Sequence, residues 1–263
     1  MERSVITDLY LSRLGLQRSA PTLDLLERIV RGHVAAFAFS SLGPRLGDDL
    51  PLDLDALYDR IVVRRRGGYC FEQNALMFEV LQDLGFSARL YLGRVMVNGN
   101  PDPALTHRVT IVDLDGVEYL VDVGFGPLGP RGPVPVAGEH GTHRVAEVAP
   151  GEIHVQSSSG GDAVTLYRFE RSTYGPADCE LGHFYSHRHP RASFVNNLVA
   201  SRILDDEVRS LRNHDYWVMR DSGTVTRTVS SAEDLRVILN QEMDLLVTED
   251  ESARLFAELP DPA

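Results

Sequence analysis

The run Thr106-His107-Arg108-Val109-Thr110-Ile111-Val112-Asp113-Leu114-Asp115-Gly116-Val117-Glu118-Tyr119-Leu120-Val121-Asp122-Val123 decides the fold of this 263-residue chain, because it reads as two strands folded over one turn. His107, Val109 and Ile111 alternate on one side of the Asp113-Leu114-Asp115-Gly116 cluster, and Tyr119, Val121 and Val123 on the other. That is the two-residue period of strands with a shared face. Pairing Val112 with Val117 sets His107 directly opposite Asp122, where Cβ atoms lie roughly 5 Å apart. A turn centred on Asp115-Gly116 slips the register by two and keeps the pair on one face, whereas a three-residue loop separates them. On one face, the aspartate accepts the proton of one imidazole nitrogen. The other nitrogen is left to deprotonate a nucleophile.

Working outward toward the N-terminus, Ala88, Leu90 and Leu92 carry the same alternation, so antiparallel sheet or barrel begins near Phe86. Before it the period is helical. A helix opens at Cys70, directly after Gly67-Gly68-Tyr69, buries Met77, Val80, Leu81 and Leu84, and stops at Gly85. Unpaired N–H groups and the positive end of the helix dipole favour an anion in the first turn, so a Cys70 thiolate is stabilised there, and the same groups suit a tetrahedral oxyanion. Leu23, Leu26, Ile29, Val30 and Val34 predict an earlier helix, and Leu54 to Val63 another. Toward the C-terminus, Ser157-Ser158-Ser159-Gly160-Gly161 reads as an exposed hairpin tip and Asp221-Ser222-Gly223 as a second turn. Ser230-x-x-Glu233 and Thr248-x-x-Glu251 are capping-box patterns that open two last helices. The chain is read as α+β in three lobes: helical over 1–85 with Cys70, β over 86–190 with His107 and Asp122, and mixed over 191–263.

Composition narrows the chemistry. A net charge of −12 argues against nucleic acid as a partner. All 26 basic residues are arginine, which excludes a lysine Schiff base to pyridoxal phosphate and a lysine-bearing phosphate loop. Two cysteines, Cys70 and Cys179, make no disulfide framework and are expected as free thiols in a reducing cytosol. Neither an export signal nor a membrane-length apolar run is present in the sequence, so the expected location is cytoplasmic, with no membrane partner.

R-G-G-Y-C-F-E-Q-N at 66–74, T-H-R-V at 106–109 and V-D-V-G-F-G at 121–126 resemble, in order and spacing, the three signature segments of the arylamine N-acetyltransferase family. Looser similarity reaches F-Y-S-H-R-H-P-R-A-S-F at 184–194. The resemblance implies a helical lobe, a central antiparallel β-barrel and a C-terminal α/β lid around a cysteine-protease-like catalytic core. By motif position it makes Cys70 the acylated nucleophile, His107 its base and Asp122 the orienting acid. It implies a ping-pong reaction in which acetyl-CoA or another acyl thioester acylates the cysteine and an arylamine or arylhydrazine takes the acyl group. No permanently bound cofactor is expected.

One departure concerns substrate selection. Where the family usually reads P-F-E-N-L-D-P, this chain has Ala38-Phe39-Ser40-Ser41-Leu42-Gly43-Pro44, which is expected to alter the acceptor or acyl pocket. Phe39, Thr106, Gly124, Phe125 and Gly126 are the expected substrate-binding positions. Related enzymes use the same triad to release or cyclise a carrier-bound polyketide as an amide or macrolactam, with an acyl carrier protein as partner. That is the alternative reading, and a cysteine hydrolase is a further one. His187-x-His189 on a strand, with His183 and Cys179, superficially offers zinc ligands, but no metal site is expected. Arg64, Arg65 and Arg66 read as a solvated helix-end cluster, with Arg66 in a structural ion pair; the alternative is that they meet the phosphates of CoA or a carrier protein.

Overall fold

The computed structural model describes every residue except 98, 101, 159–160 and 261–263. The first third is helical: α1 (Arg3–Arg13), α2 (Leu23–Ala36), the two-residue strand β1 (Phe39–Ser40), α3 (Leu42–Leu46), α4 (Leu54–Tyr58) running into a π-helical turn (Asp59–Val63), and α5 (Cys70–Asp83). The spaced apolar residues of α2 and α5, among them Leu26, Ile29, Val30, Leu76, Val80 and Leu81, converge with Tyr10 of α1 in one buried core. The side chain of Glu72 accepts from the Tyr69 N–H at 3.2 Å, closing the N-terminus of α5. Gly85 ends it at φ +85°, a left-handed turn that a side chain resists.

A second body is one nearly closed sheet of β2 (Ser87–Val95), β3 (Leu105–Leu114), β4 (Val117–Val121), β5 (Val134–Pro135), β6 (Gly138–His140), β7 (His143–Ala149), β8 (Glu152–Ser157) and β9 (Val164–Glu170), in the order β5-β4-β3-β2-β9-β8-β7-β6. Ile111, Leu120, Val155, Leu166 and Phe169 fill its interior. The β3–β4 turn holds Asp115 at φ +54° and Gly116 at φ +84°, with Leu114 facing Val117. This is a two-residue turn in which both central residues need positive φ, the preference Asp-Gly satisfies. The register is therefore slipped by two from the Val112–Val117 pairing. His107 and Asp122 stand diagonally rather than directly opposite, still on one face.

The next segment corrects a sequence expectation. Residues 176–188 form helix α6 (Pro176–Arg188), so His187 and His189 do not alternate along a strand; α7 (Ser193–Asn196) follows. The chain ends in β10 (Val199–Ile203), β11 (Glu207–Arg212), β12 (Asp215–Arg220), β13 (Gly223–Thr228), α8 (Ala232–Val237) with a π-helical turn (Ile238–Glu242), and α9 (Glu249–Ala257). These strands form a sheet whose far edge is β1, Phe39 pairing with Ser201. The expected hairpin is present, Arg220 facing Gly223. Thr248 and Glu251 make the expected reciprocal cap of α9, at 3.2 and 2.9 Å. The cap of α8 lies one residue later than expected: Ser231 accepts from Asp234 N at 3.1 Å, and Asp234 accepts from Ser230 N at 3.1 Å. Of the serine-glycine tip, Ser157 is a buried strand end and Ser158 is exposed, while Ser159 and Gly160 lie outside the described residues. Among the described residues no helix is long and apolar enough to cross a membrane.

Candidate active site

Cys70, His107 and Asp122 come from a helix start, a strand and the residue just past a strand, and all three are buried. Two local irregularities aim them at one another. In β3, Gly93 pairs with His107 but Arg94 with Leu105, so Thr106 is an extra residue, a bulge that redirects the strand beside the imidazole. At Gly124, a Cβ would fall 2.7 Å from the Cα of Cys70 and 2.8 Å from Nδ2 of Asn74, so only glycine allows α5 to approach so closely.

His107 Nε2 is 2.8 Å from Asp122 Oδ2. The same oxygen accepts from the Tyr167 hydroxyl at 2.8 Å, and Oδ1 accepts from Asn74 Nδ2 at 2.9 Å and Gly124 N at 3.0 Å. Four donors thus meet a carboxylate that accepts about four, which is what a fully buried charge requires. Burial alone would raise the Asp122 pKa, but the His107 charge and these hydrogen bonds hold it below the ordinary carboxylate value. For His107, burial pulls the pKa down, and the Asp122 charge and hydrogen bond, aided by the Cys70 sulfur, lift it well above that of a free imidazole. Nε2 is committed to the carboxylate, which leaves Nδ1 for the thiol. Cys70 Sγ lies 3.4 Å from the Thr106 carbonyl oxygen, to which the thiol form donates. Chemically, a thiol, an imidazole held by a carboxylate and a buried anion that favours imidazolium are the parts that nucleophilic catalysis uses.

Asn74 and Tyr167 were not singled out from the sequence. Asn74 is one turn along α5 from Cys70, and that spacing on one helix face could have indicated it. Its amide also donates to the Arg108 carbonyl at 2.6 Å and accepts from Val123 N at 3.0 Å, locking helix to sheet. Tyr167 arrives from β9 through the β2–β9 pairing, for which no local signal exists.

A cavity of about 460 Å³ opens over Cys70, lined by Phe39, Thr106, His107, Gly124 and Phe125. Phe125 stands edge-on to the His107 ring at 5.1 Å. Gly126 is not in the lining; it adopts φ +82°, and a Cβ there would touch the Phe39 ring at 3.7 Å. Ser40 and Ser41 are also outside it, which corrects the expectation that they shape the pocket. Both are buried in the seam between β1 and β10: Ser41 Oγ donates to Asn197 O at 2.9 Å and accepts from Val199 N at 2.8 Å, while Ser40 Oγ accepts from Leu42 N at 3.0 Å.

The arginine cluster is occupied by acids. Arg64 pairs with Asp59 at 2.6 Å, Arg65 with Asp244 at 2.6 Å, and Arg66 grips Glu251 with both nitrogens at 2.9 and 2.8 Å. His183 is saturated between the Tyr69 hydroxyl and the Leu50 carbonyl, and His187 Nδ1 bonds the His183 carbonyl.

Comparison with known proteins identifies the family. Residues 22–252 match the family model described as N-acetyltransferase. An arylamine N-acetyltransferase of Mycolicibacterium smegmatis is 36% identical over 247 residues, 88% of this chain and 89% of that protein. The structure of the Salmonella typhimurium enzyme superposes with a TM-score of 0.90 at 29% identity, over 96% of this chain and 98% of the other. The Mycobacterium marinum enzyme in complex with CoA superposes with a TM-score of 0.87 at 31% identity, over 95% and 98%. With sequence motifs, fold and family match in agreement over nearly the whole length, the chain belongs to the arylamine N-acetyltransferase family.

Proposed function

We propose that this enzyme moves an acetyl group from acetyl-CoA to an arylamine or arylhydrazine through an acyl-Cys70 intermediate, with His107 as base and Asp122 as its orienting acid. The observation that carries the assignment is the His107–Asp122 contact of 2.8 Å beside the thiol, at the floor of a cavity large enough for a small planar amine. In the first half-reaction the Cys70 thiolate attacks the thioester carbonyl, the carbon–sulfur bond to CoA breaks, and the proton on Nδ1 of His107 passes to the departing sulfur. In the second, the amine nitrogen attacks the acyl carbon, His107 takes its proton, and the Cys70 thiolate leaves. The positive end of the α5 dipole, at Cys70, favours the oxyanion of both steps. Phe125 forms a flat wall for the acceptor beside His107. Free thiols at Cys70 and Cys179 suit a reducing cytoplasm, which fractionation against cytosolic markers tests.

Intact mass spectrometry decides the assignment. Acetyl-CoA should add one acetyl group to the wild type and none to Cys70→Ser, and aniline or a hydrazine should remove it as the amide. An adduct from a carrier-bound or longer acyl thioester, with none from acetyl-CoA, replaces this reading with the amide synthase. Loss of the adduct to water at the same rate with and without amine replaces it with the hydrolase.

A further inference from the structure

A second cavity is larger than the one above Cys70. About 1590 Å³ in volume, it lies between α5, β2, α6 and the segment 49–53, and shares no lining residue with the Cys70 cavity. At its inner end is Arg108. Alternation along β3 turns this side chain away from the face that carries His107. Arg108 is 7% exposed, yet among the described residues it has no carboxylate within ion-pair distance, and its Nε has no hydrogen-bond partner. Its guanidinium instead stacks on the Phe78 ring at 5.4 Å, which leaves the fork edge free. Glu79 lines the same cavity and its charge reaches Arg108, but its carboxylate is paired with Arg3 rather than with the guanidinium.

A buried cation without a counter-ion is costly, and few are kept unless something supplies the missing charge. We propose that this second cavity binds an organic monocarboxylate with an apolar tail, its carboxylate held by the Arg108 guanidinium. Guanidinium matches carboxylate bidentately. The rest of the lining sets the ligand's other properties. Leu50, Leu52, Leu90 and Tyr174 offer apolar wall, and Leu181 and Phe184 of α6, 73% and 64% exposed, extend it to the rim. Asp49, Asp53, Glu79 and Glu180 line the same space together with Arg89, Arg171 and Arg188, so beyond Arg108 the charges of the wall nearly cancel and the ligand needs no second anionic group.

Decanoate, titrated calorimetrically into the purified enzyme, is the test. Decanoate should bind at least about tenfold more tightly than decanol, which has the tail without the charge. Arg108→Met keeps the stem packed on Phe78 and should weaken decanoate about tenfold or more while leaving decanol unchanged. Ala177→Trp, at an exposed position of α6 facing the cavity, should abolish binding of both and leave acetyl transfer intact. Equal affinity for decanoate and decanol overturns the proposal, as does wild-type decanoate binding by either variant. Should Arg108→Met not fold, Ala177→Trp decides alone.

Discussion

Replacing Asp122 with asparagine should stop acetyl transfer without unfolding the protein, and the hydrogen-bond inventory explains why. The carboxylate faces two pairs of donors: Asn74 Nδ2 with Gly124 N on one oxygen, His107 Nε2 with the Tyr167 hydroxyl on the other. An asparagine amide must point its NH₂ at one pair. Toward Asn74 and Gly124 it would meet two fixed N–H donors, one of them backbone, and a buried donor facing a donor costs about 1–3 kcal/mol. Toward His107 and Tyr167 the hydroxyl can rotate to accept, and the imidazole can accept at Nε2 by moving its proton to Nδ1. The second orientation wins, and it puts the proton on the nitrogen that must receive one. In the serine-protease template the same substitution lowers turnover about 10⁴-fold, equivalent to about 5 kcal/mol of barrier. Stopped-flow release of CoA from acetyl-CoA should slow by a comparable factor, with an unchanged circular dichroism spectrum. Wild-type acylation by folded Asp122→Asn would remove the aspartate from the mechanism.

Iodoacetamide should modify Cys70 well before Cys179, whose thiol is pushed up by burial, and loss of transfer should track the first equivalent; equal rates for the two thiols would contradict the site. Glu72, buried beside Arg60 at 3.2 Å, is raised to about 7, burial outweighing the arginine. An acid raised in the folded state favours folding while protonated, so its contribution falls as pH climbs from its unfolded value toward about 7. The stability of wild type relative to Glu72→Gln should therefore drop by up to about 3 kcal/mol between pH 4.5 and 7 in urea titrations, and a pH-independent difference refutes this. Ser41→Ala should cost about 1–3 kcal/mol, since the Val199 N–H and Asn197 C=O lose their partner, while acceptor preference stays as it was; a changed preference at unchanged stability would return Ser41 to the pocket.

Legibility in the sequence followed the range of the signals. Helix α5 and the β3–β4 hairpin were readable because their limits are written locally, in Gly85 and in Asp115-Gly116. Cys70, His107 and Asp122 could be singled out for the same reason, and the structure brings them together. The hairpin register was not fixed by alternation, which a two-residue slip preserves; the positive φ of both turn residues decides it. Helix α6 was missed because its periodicity is inverted: Leu181 and Phe184 face out while Gly182, His183 and Ser186 face in. The cap of α8 was ambiguous because Ser230-Glu233 and Ser231-Asp234 fit the same pattern. Tyr167 and the seam around Ser41 depend on strands far apart in the chain, beyond any local window.

The short strand β1 has a consequence for the order in which the approach to Cys70 is assembled. Phe39 pairs with Ser201 on one side and bridges to Gly68 on the other, and Ser40 N donates to the Gly68 carbonyl at 2.9 Å. Two residues made early thus tie the approach to Cys70 to a strand that leaves the ribosome late. The pairing closes a loop of long sequence separation, a contact that adds to the loop entropy the folding chain must overcome. His107 and Asp122, too, are translated after the thiol they face. Until β10 is made, the segment that leads into Cys70 lacks the strand that anchors it.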